Sequence, residues 1–357
     1  MIRGRAGWHA ACISLLACAK PEAKLNDAGA LAPLPAPSFS RSTETVDARR
    51  GEPEDAGGLR GDGGIDLAPF MTSRPVWGKS IGHTSVVFKL KLERGTLLDG
   101  GTGEGQAEDR VVEAAYKPRS KRGKTRYRGE IAAYRLGRAL GLPNVPPAFP
   151  RAFSVAELGA ALGGPASAAG KLFVDEVVAD ARGEVRGALI PWIAGLRFVP
   201  LEAEPSRAEW RRWLDGSESV PDEKRKLAAQ ISTMIVFDYL TGNWDRWSGG
   251  NIGTDETGET LLYIDNDGAF YDPPPPEPLA RQRALVRDDA RFSKSFLAAL
   301  RALEPEVARA ALGEEAPGEP IFSAKVLAGL DERRRDVLRL VDGRVAKDGR
   351  DKVLAFE

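Results

Sequence analysis

Two stretches of this chain concentrate side chains able to do chemistry. One is Phe237-Asp-Tyr-Leu-Thr-Gly-Asn-Trp-Asp-Arg246, followed by Asn251; the other is Tyr263-Ile-Asp-Asn-Asp-Gly-Ala-Phe270. The first reads as the end of a buried helix near Leu240, then a polar turn carrying Asn243, Asp245 and Arg246. A short hairpin returns the chain, and Asp265 stands at the end of an apolar strand. Two acidic groups at loop positions flanking a hairpin can converge on one point. Such a pair suits magnesium or manganese, which favour oxygen ligands. It also suits phosphoryl transfer, in which one aspartate aligns the acceptor hydroxyl and another holds the metal on the phosphates.

The elements that must position these groups follow from periodicity. Phe88, Leu90 and Leu92 alternate with Lys89 and Lys91, a strand pattern, and Val111–Lys117 reads as a second strand. Gly129–Leu140 has apolar residues at helical spacing and stops at Gly141 and Pro143. Lys117 therefore ends a strand and Glu130 begins the next helix, an order that in kinase-like folds makes a Lys–Glu ion pair with the lysine reaching the nucleotide phosphates. Gly78-Lys-Ser-Ile-Gly82-His-Thr84, ahead of the first strand, reads as a phosphate-covering loop. Residues 158–170 read as a loop, and 172–178 with 185–193 as a strand pair around Arg182-Gly183. Helices are expected over 206–214 and 223–240, the second opened by a capping box at Ser219-Val-Pro-Asp222, and then over about 292–312 and 322–346. Short strands at Ile252 and Leu261–Ile264 flank the turn 255–258. This is an α+β order: a β-rich front lobe with one embedded helix, residues 75–190, and a mostly helical rear lobe, 191–357.

Phe237–Arg246 resembles the catalytic loop of the four-jointed protein and its relatives, the secretory-pathway kinases that include the Golgi casein kinase. Ile264-Asp-Asn-Asp267 resembles their metal-binding segment, and Gly129–Leu142 their Glu-bearing helix. The resemblance runs in order over roughly 77–345 and is specific in these blocks. Type II phosphatidylinositol 4-kinases and HipA kinases share a similar Asn-x-Asp loop. The resemblance implies an atypical, two-lobed protein-kinase-like fold and transfer from ATP with Mn²⁺ or Mg²⁺. It implies Asp245 as the catalytic aspartate, Asp265 as the metal ligand, and Lys117, with partner Glu130 and loop residue Gly82, at the nucleotide. Relatives often place a second metal ligand five residues after the catalytic aspartate. Here that position is Gly250, with Asn251 one further on; Asn251 and Asp267 both stand as candidates. Trp244 and Trp247 read as packing between lobes. The seven basic residues among 117–128 read as a solvated loop or a dock for an acidic partner.

Composition narrows the chemistry. The 357 residues carry 51 basic and 51 acidic groups, so net charge gives no reason to expect nucleic-acid binding. Two histidines, His9 and His83, and two cysteines, Cys12 and Cys18, cannot build a His-ligated zinc centre or a CxxC…CxxC site. No run of about 20 apolar residues exists to span a bilayer. Arg3 and Arg5, an apolar run over 6–17, and Leu15-Leu-Ala-Cys18 have the parts of an export signal. The last four resemble a bacterial lipobox, which implies cleavage before Cys18 and its lipidation. Residues 18–74, rich in Ala, Pro, Gly and Ser, then form a tether. The expectation is a cell-envelope lipoprotein that phosphorylates a hydroxyl on a protein or glycan. The alternatives are a kinase-fold binding module without turnover, and a lipid or small-molecule kinase.

Overall fold

Alternating side chains build the front of the molecule. In the computed structural model, which describes residues 67–82, 84–93 and 111–357, a short helix α1 (Ala68–Thr72) leads into β1 (Arg74–Ser80), β2 (Phe88–Glu93) and β3 (Val111–Pro118). The described residues all lie in one compact unit, Ala56–Glu357. The proposed signal, most of the tether, and His83 fall outside the described residues. On β2, Phe88, Leu90 and Leu92 point inward while Lys91 and Glu93 face solvent. They meet Tyr116, Ala114 and Val112 of β3 in register.

Next come α2 (Tyr127–Ala139), β4 (Phe149–Ser154), α3 (Val155–Ala161), α4 (Ala168–Glu176) and β5 (Glu184–Pro191). The antiparallel sheet has the order β1-β2-β3-β5-β4. Three local expectations need correction. Residues 158–170 are not a loop and 172–178 are not a strand. Ser154 and Ser167 cap α3 and α4 by accepting from the backbone N–H of Glu157 and Gly170. Ala169 and Phe173, four apart, then bury one helical face against Leu158 and the sheet. β5 pairs with β3 on one side and β4 on the other, and the Pro150 of β4 spoils the strand signal yet is tolerated because β4 is an edge strand. Gly78–Ser80 belong to β1, so the connecting loop is only 81–87.

The rear is helical: β6 (Arg197–Phe198), α5 (Ser206–Asp215), α6 (Arg225–Thr241), β7 (Ile252–Thr254), β8 (Leu261–Tyr263), α7 (Pro276–Asp288), α8 (Lys294–Ala302) and α9 (Pro305–Leu312). A small hairpin, β9 (Glu314–Ala316) and β10 (Glu319–Pro320), precedes α10 (Ala324–Asp348) and α11 (Arg350–Val353). The expected capping box does not form: a 3₁₀ turn, Asp222–Lys224, leads into α6 with no side-chain cap. From Ile231 to Thr241 α6 is buried on all sides, as the centre of a helical lobe must be. Helix α2 packs on α9 and shares the rear core through Ile131, Ala132 and Leu136. The helix that carries Glu130 in its first turn is thus anchored in the rear core, while Lys117 belongs to the sheet. No helix among the described residues is long and apolar enough to cross a membrane.

Candidate active site

Lys117 is buried where β3 ends, and its ammonium meets three carboxylates. It pairs with Glu130, donates to Asp265 Oδ1 at 2.7 Å, and lies 3.7 Å from Asp267 Oδ2. Burial alone would lower its pKa; Glu130, Asp265 and Asp267 outweigh that and hold the ammonium above its ordinary range. Glu130 sits in the first turn of α2 and also accepts from the backbone N–H of Asn266 at 3.0 Å. Burial raises the Glu130 pKa against the pull of Lys117. This approach of α2 to the 265–268 segment needs Gly129: a Cβ there would stand 2.5 Å from the Asn266 carbonyl oxygen.

Asp265 follows β8 with φ of 56°, the left-handed region that aspartate tolerates at some cost. Burial would raise its pKa, and Lys117 overrides this and holds the carboxyl below the usual range. Its side chain keeps 37% exposure, against 6% for Asp267. Asp267 is fully engaged: Arg126 donates to Oδ1 at 2.5 Å, and Ser85 of the 81–87 loop donates to Oδ2 at 3.2 Å. The basic run is also largely engaged, because Arg122 pairs with Glu176 at 3.2 Å and Arg128 with Glu315 at 2.5 Å.

The turn after α6 is organised by Arg246, which is wholly buried. Its Nε donates to both oxygens of Asp238 at 3.2 Å, its Nη1 to the carbonyls of Asn251 (2.7 Å) and Ile264, and its Nη2 to Asn266 Oδ1 at 2.6 Å. One guanidinium next to Asp245 therefore grips the residues on both sides of Asp265. Burial pushes the Asp238 carboxyl up to about 6, with Arg246 opposing. Asn251 Nδ2 donates to the Asp245 carbonyl at 2.8 Å and Ser248 Oγ at 3.2 Å, which leaves Oδ1 as its hard donor. No side chain among the described residues hydrogen-bonds the Asp245 carboxylate. Sequence reasoning missed Arg246 as an organiser, along with Asn266, Arg126 and Ser85. The available signal was an arginine inside an otherwise buried turn.

A cavity of about 580 Å³ brings together Gly82, Lys117, Glu130 and Asp265, with Ile81, Val87, Ile190, Trp192 and Phe198 among its apolar walls. That combination of a charged end and an apolar end suits a nucleotide. Asp245 lines a second cavity of about 540 Å³, and Asn251 lines neither. Among the described residues, no group of three or more His, Cys, Asp or Glu side chains is arranged as a metal cage. Asp265 Oδ2 takes no hydrogen bond among the described residues, which leaves an oxygen donor of the kind that Mg²⁺ or Mn²⁺ accepts beside water and substrate phosphates.

No family model matches the chain, and no curated protein is significantly similar to it. Solved structures are similar in fold. Hydra Fam20, solved with a sugar, matches with a TM-score of 0.56 and 19% identity, over 80% of this chain and 90% of that one. The Golgi casein kinase with manganese and ADP bound matches with a TM-score of 0.58 and 17% identity, over 81% of this chain and 77% of that one.

Proposed function

We infer a phosphoryl-transfer role for this chain from its atypical kinase fold, the fold of Fam20 and the Golgi casein kinase. On that premise we propose that it is a metal-dependent phosphotransferase, moving the γ-phosphoryl group of ATP to a hydroxyl on a protein or glycan in the cell envelope. A lipidated Cys18 would hold it at the membrane. The observation that carries the reading is the buried Lys117, paired with Glu130 and bonded to Asp265 in one cavity. A structural ion pair needs neither a second carboxylate nor an open chamber, whereas a phosphate-binding lysine needs the chamber, with a metal-holding aspartate beside it. Support also comes from the neighbour solved with manganese and ADP.

In this reading Lys117 binds the phosphates and Glu130 fixes its direction. Asp265 and Asn251 are the residues to hold a divalent ion, which when bound neutralises charge building on the phosphoryl oxygens. Asp267 is not a ligand, since Arg126, Ser85 and Lys117 already engage it. Asp245 orients the acceptor hydroxyl and takes its proton, a role contributing about 10²–10⁴-fold.

The test is a thermal shift with ATP and Mn²⁺, followed by phosphate transfer read by intact mass. Asp245→Asn should keep the nucleotide shift and lose transfer; Asp265→Ala should lose both. The placement of Asn251 and the separation of Asp245 from the Lys117 cavity favour a second reading, a nucleotide-binding module without turnover. A protein that binds metal–ATP yet phosphorylates neither itself nor any acceptor supports that one instead. Absence of any nucleotide shift sinks both.

A further inference from the structure

The helix that carries Glu130 is gripped from behind. At about 100° per residue, Gly129 and Glu130 turn toward the 265–268 segment, whereas Arg128 and Arg135 share a face that points away from Glu130. Both arginines, and Tyr127 beside them, reach the β9–β10 hairpin. The Glu315 side chain is 3% exposed, accepts from the Tyr127 hydroxyl and pairs with Arg128 at 2.5 Å. Arg135 Nη1 donates to the carbonyls of Leu312 at 2.6 Å and Glu314 at 2.9 Å. The hairpin is itself fixed to the rear lobe. Leu312 and Ile321 at its two ends are buried in the rear core, and the Ile321 N–H donates to the Gly313 carbonyl at 3.1 Å. Glu319 also pairs with Arg186 of β5 at 2.6 Å, a solvent-facing contact of a kind that contributes little. The N-cap residue of α2, Arg126, makes no side-chain cap, so the first turn is held by the groups around it.

We propose that Glu315 is a positioning residue for the Lys117 site: the hairpin fixes the first turn of α2 and so seats the Glu130 carboxylate between the Lys117 ammonium and the Asn266 N–H. The inference rests on the nucleotide reading of Lys117 for what the seat is used for, and on geometry alone for the seat. A carboxylate is an expensive way to dock a hairpin. Burying it costs free energy unless it is paired, and an apolar side chain would cover Tyr127 as well. What the carboxylate adds is direction, because charge-assisted bonds to a hydroxyl and a guanidinium on consecutive residues fix how the turn is rotated. Ile131, Ala132 and Leu136 anchor the next turns in the rear core and set where the helix lies. Tyr127 and Arg128 set how its first turn faces. A functional pair needs placement to within about 0.5 Å, which calls for such a supporting shell. Burial, and then Glu315, hold the Tyr127 hydroxyl above its ordinary pKa, so it stays a donor to Glu315.

The experiment reads Glu130 directly, by NMR-detected amide exchange of the full chain without nucleotide. The Asn266 N–H donates to Glu130 Oε1 at 3.0 Å, so its protection reports the seat. The Phe292 N–H donates to the Val353 carbonyl in the rear lobe and reports global opening. Glu315→Ala should speed exchange at Asn266 by about tenfold or more over any change at Phe292. Tyr127→Phe, which removes one hydroxyl and keeps the ring, should move Asn266 severalfold in the same direction. Affinity for ATP with Mn²⁺, measured by calorimetric titration, should weaken in Glu315→Ala, and should weaken no further when Glu315→Ala is added to Glu130→Ala. Equal acceleration at both amides, unchanged Asn266 exchange in both variants, or additive losses of ATP affinity overturn the proposal. A parent protein that binds no ATP yet gives the Asn266 response overturns the nucleotide reading and leaves the seat standing. ATP binding by the parent with no Asn266 response in the variants does the reverse.

Discussion

Replacing Arg246 by methionine keeps the buried stem and removes the charge, and the structure sets the cost. Its side chain is 0% exposed and that of its partner Asp238 is 1% exposed. Removing one member of such a pair leaves the other buried and uncompensated, which costs about 3–5 kcal/mol. Three further acceptors, on Asn251, Ile264 and Asn266, lose their donor. Their penalties do not simply add, because all five bonds share one group. Against a total domain stability of about 5–15 kcal/mol, the loss is a large fraction. Urea unfolding followed by far-UV circular dichroism measures it. The second arm is Asp238→Asn combined with Arg246→Met, which removes the stranded charge and should recover about 2 kcal/mol of the single variant's loss. The double variant should still lose the nucleotide-induced thermal shift, since nothing then holds Ile264 and Asn266 around Asp265. A single-variant cost under about 1 kcal/mol, or a double variant no more stable than the single, would refute the assignment of Arg246 as the organising charge.

Glycine substitutions give a paired contrast: Gly129→Ala meets the Asn266 carbonyl at 2.5 Å, whereas Gly343 in α10 has nothing within 4 Å. Gly343→Ala should stabilise by about 0.5–1 kcal/mol through helix propensity, while Gly129→Ala should destabilise by about 1–3 kcal/mol and reduce the ATP-induced shift. Equal effects on melting temperature would contradict the close approach. Asp238 supplies a pH test: its folded pKa of about 6 lies above the unfolded value of 3.8, so its contribution is complete below the unfolded value and is lost as pH rises through the folded one. The stability of the parent relative to Asp238→Asn should therefore fall by about 2–3 kcal/mol between about pH 4 and pH 7, and a flat difference across urea titrations at these pH values would count against the shift. Cys18→Ala should release the protein from membranes on fractionation, because each buried acyl methylene contributes about 0.8 kcal/mol; retention in the membrane fraction would remove the lipobox assignment.

The groups most legible in the sequence were those whose position is dictated by a change of period. Lys117 ends an alternating run and Glu130 opens a helical one, and the structure joins them. Asp265 was legible for the same reason, at the edge of an apolar strand. What could not be read was set by context at a distance. Pro150 hid β4 because its edge position depends on the order of strands that are far apart in the chain. Residues 172–178 looked like a strand because Leu172 and Val174 alternate; the helix that forms over Ala168–Glu176 leaves Val174 60% exposed and buries Ala169 and Phe173. The role of Arg246 was invisible because four of its five acceptors lie on residues whose approach only the fold creates.

The distribution of buried charge bears on whether this site is built to act. Burying an ion pair is a poor way to stabilise a fold, since well-packed apolar residues of similar volume often do as well or better. Here the buried charges are two linked sets. Lys117, Glu130 and Asp267 surround Asp265, and Arg246 with Asp238 holds the turn that begins at Asp245. Arg246 connects the sets through Ile264 and Asn266. Gly268 brings them into contact, because a Cβ there would lie 2.9 Å from both Asn243 Oδ1 and the Asp245 Cβ. Arg246 and Gly268 set the turn carrying Asp245 against the segment carrying Asp265. Costly organisation around Asp265, and of the backbone that carries Asp245, is what the proposed phosphoryl transfer would use. A nucleotide-binding module would need the Lys117 set and Asp265, but not a second buried charge pair that sets the turn carrying Asp245.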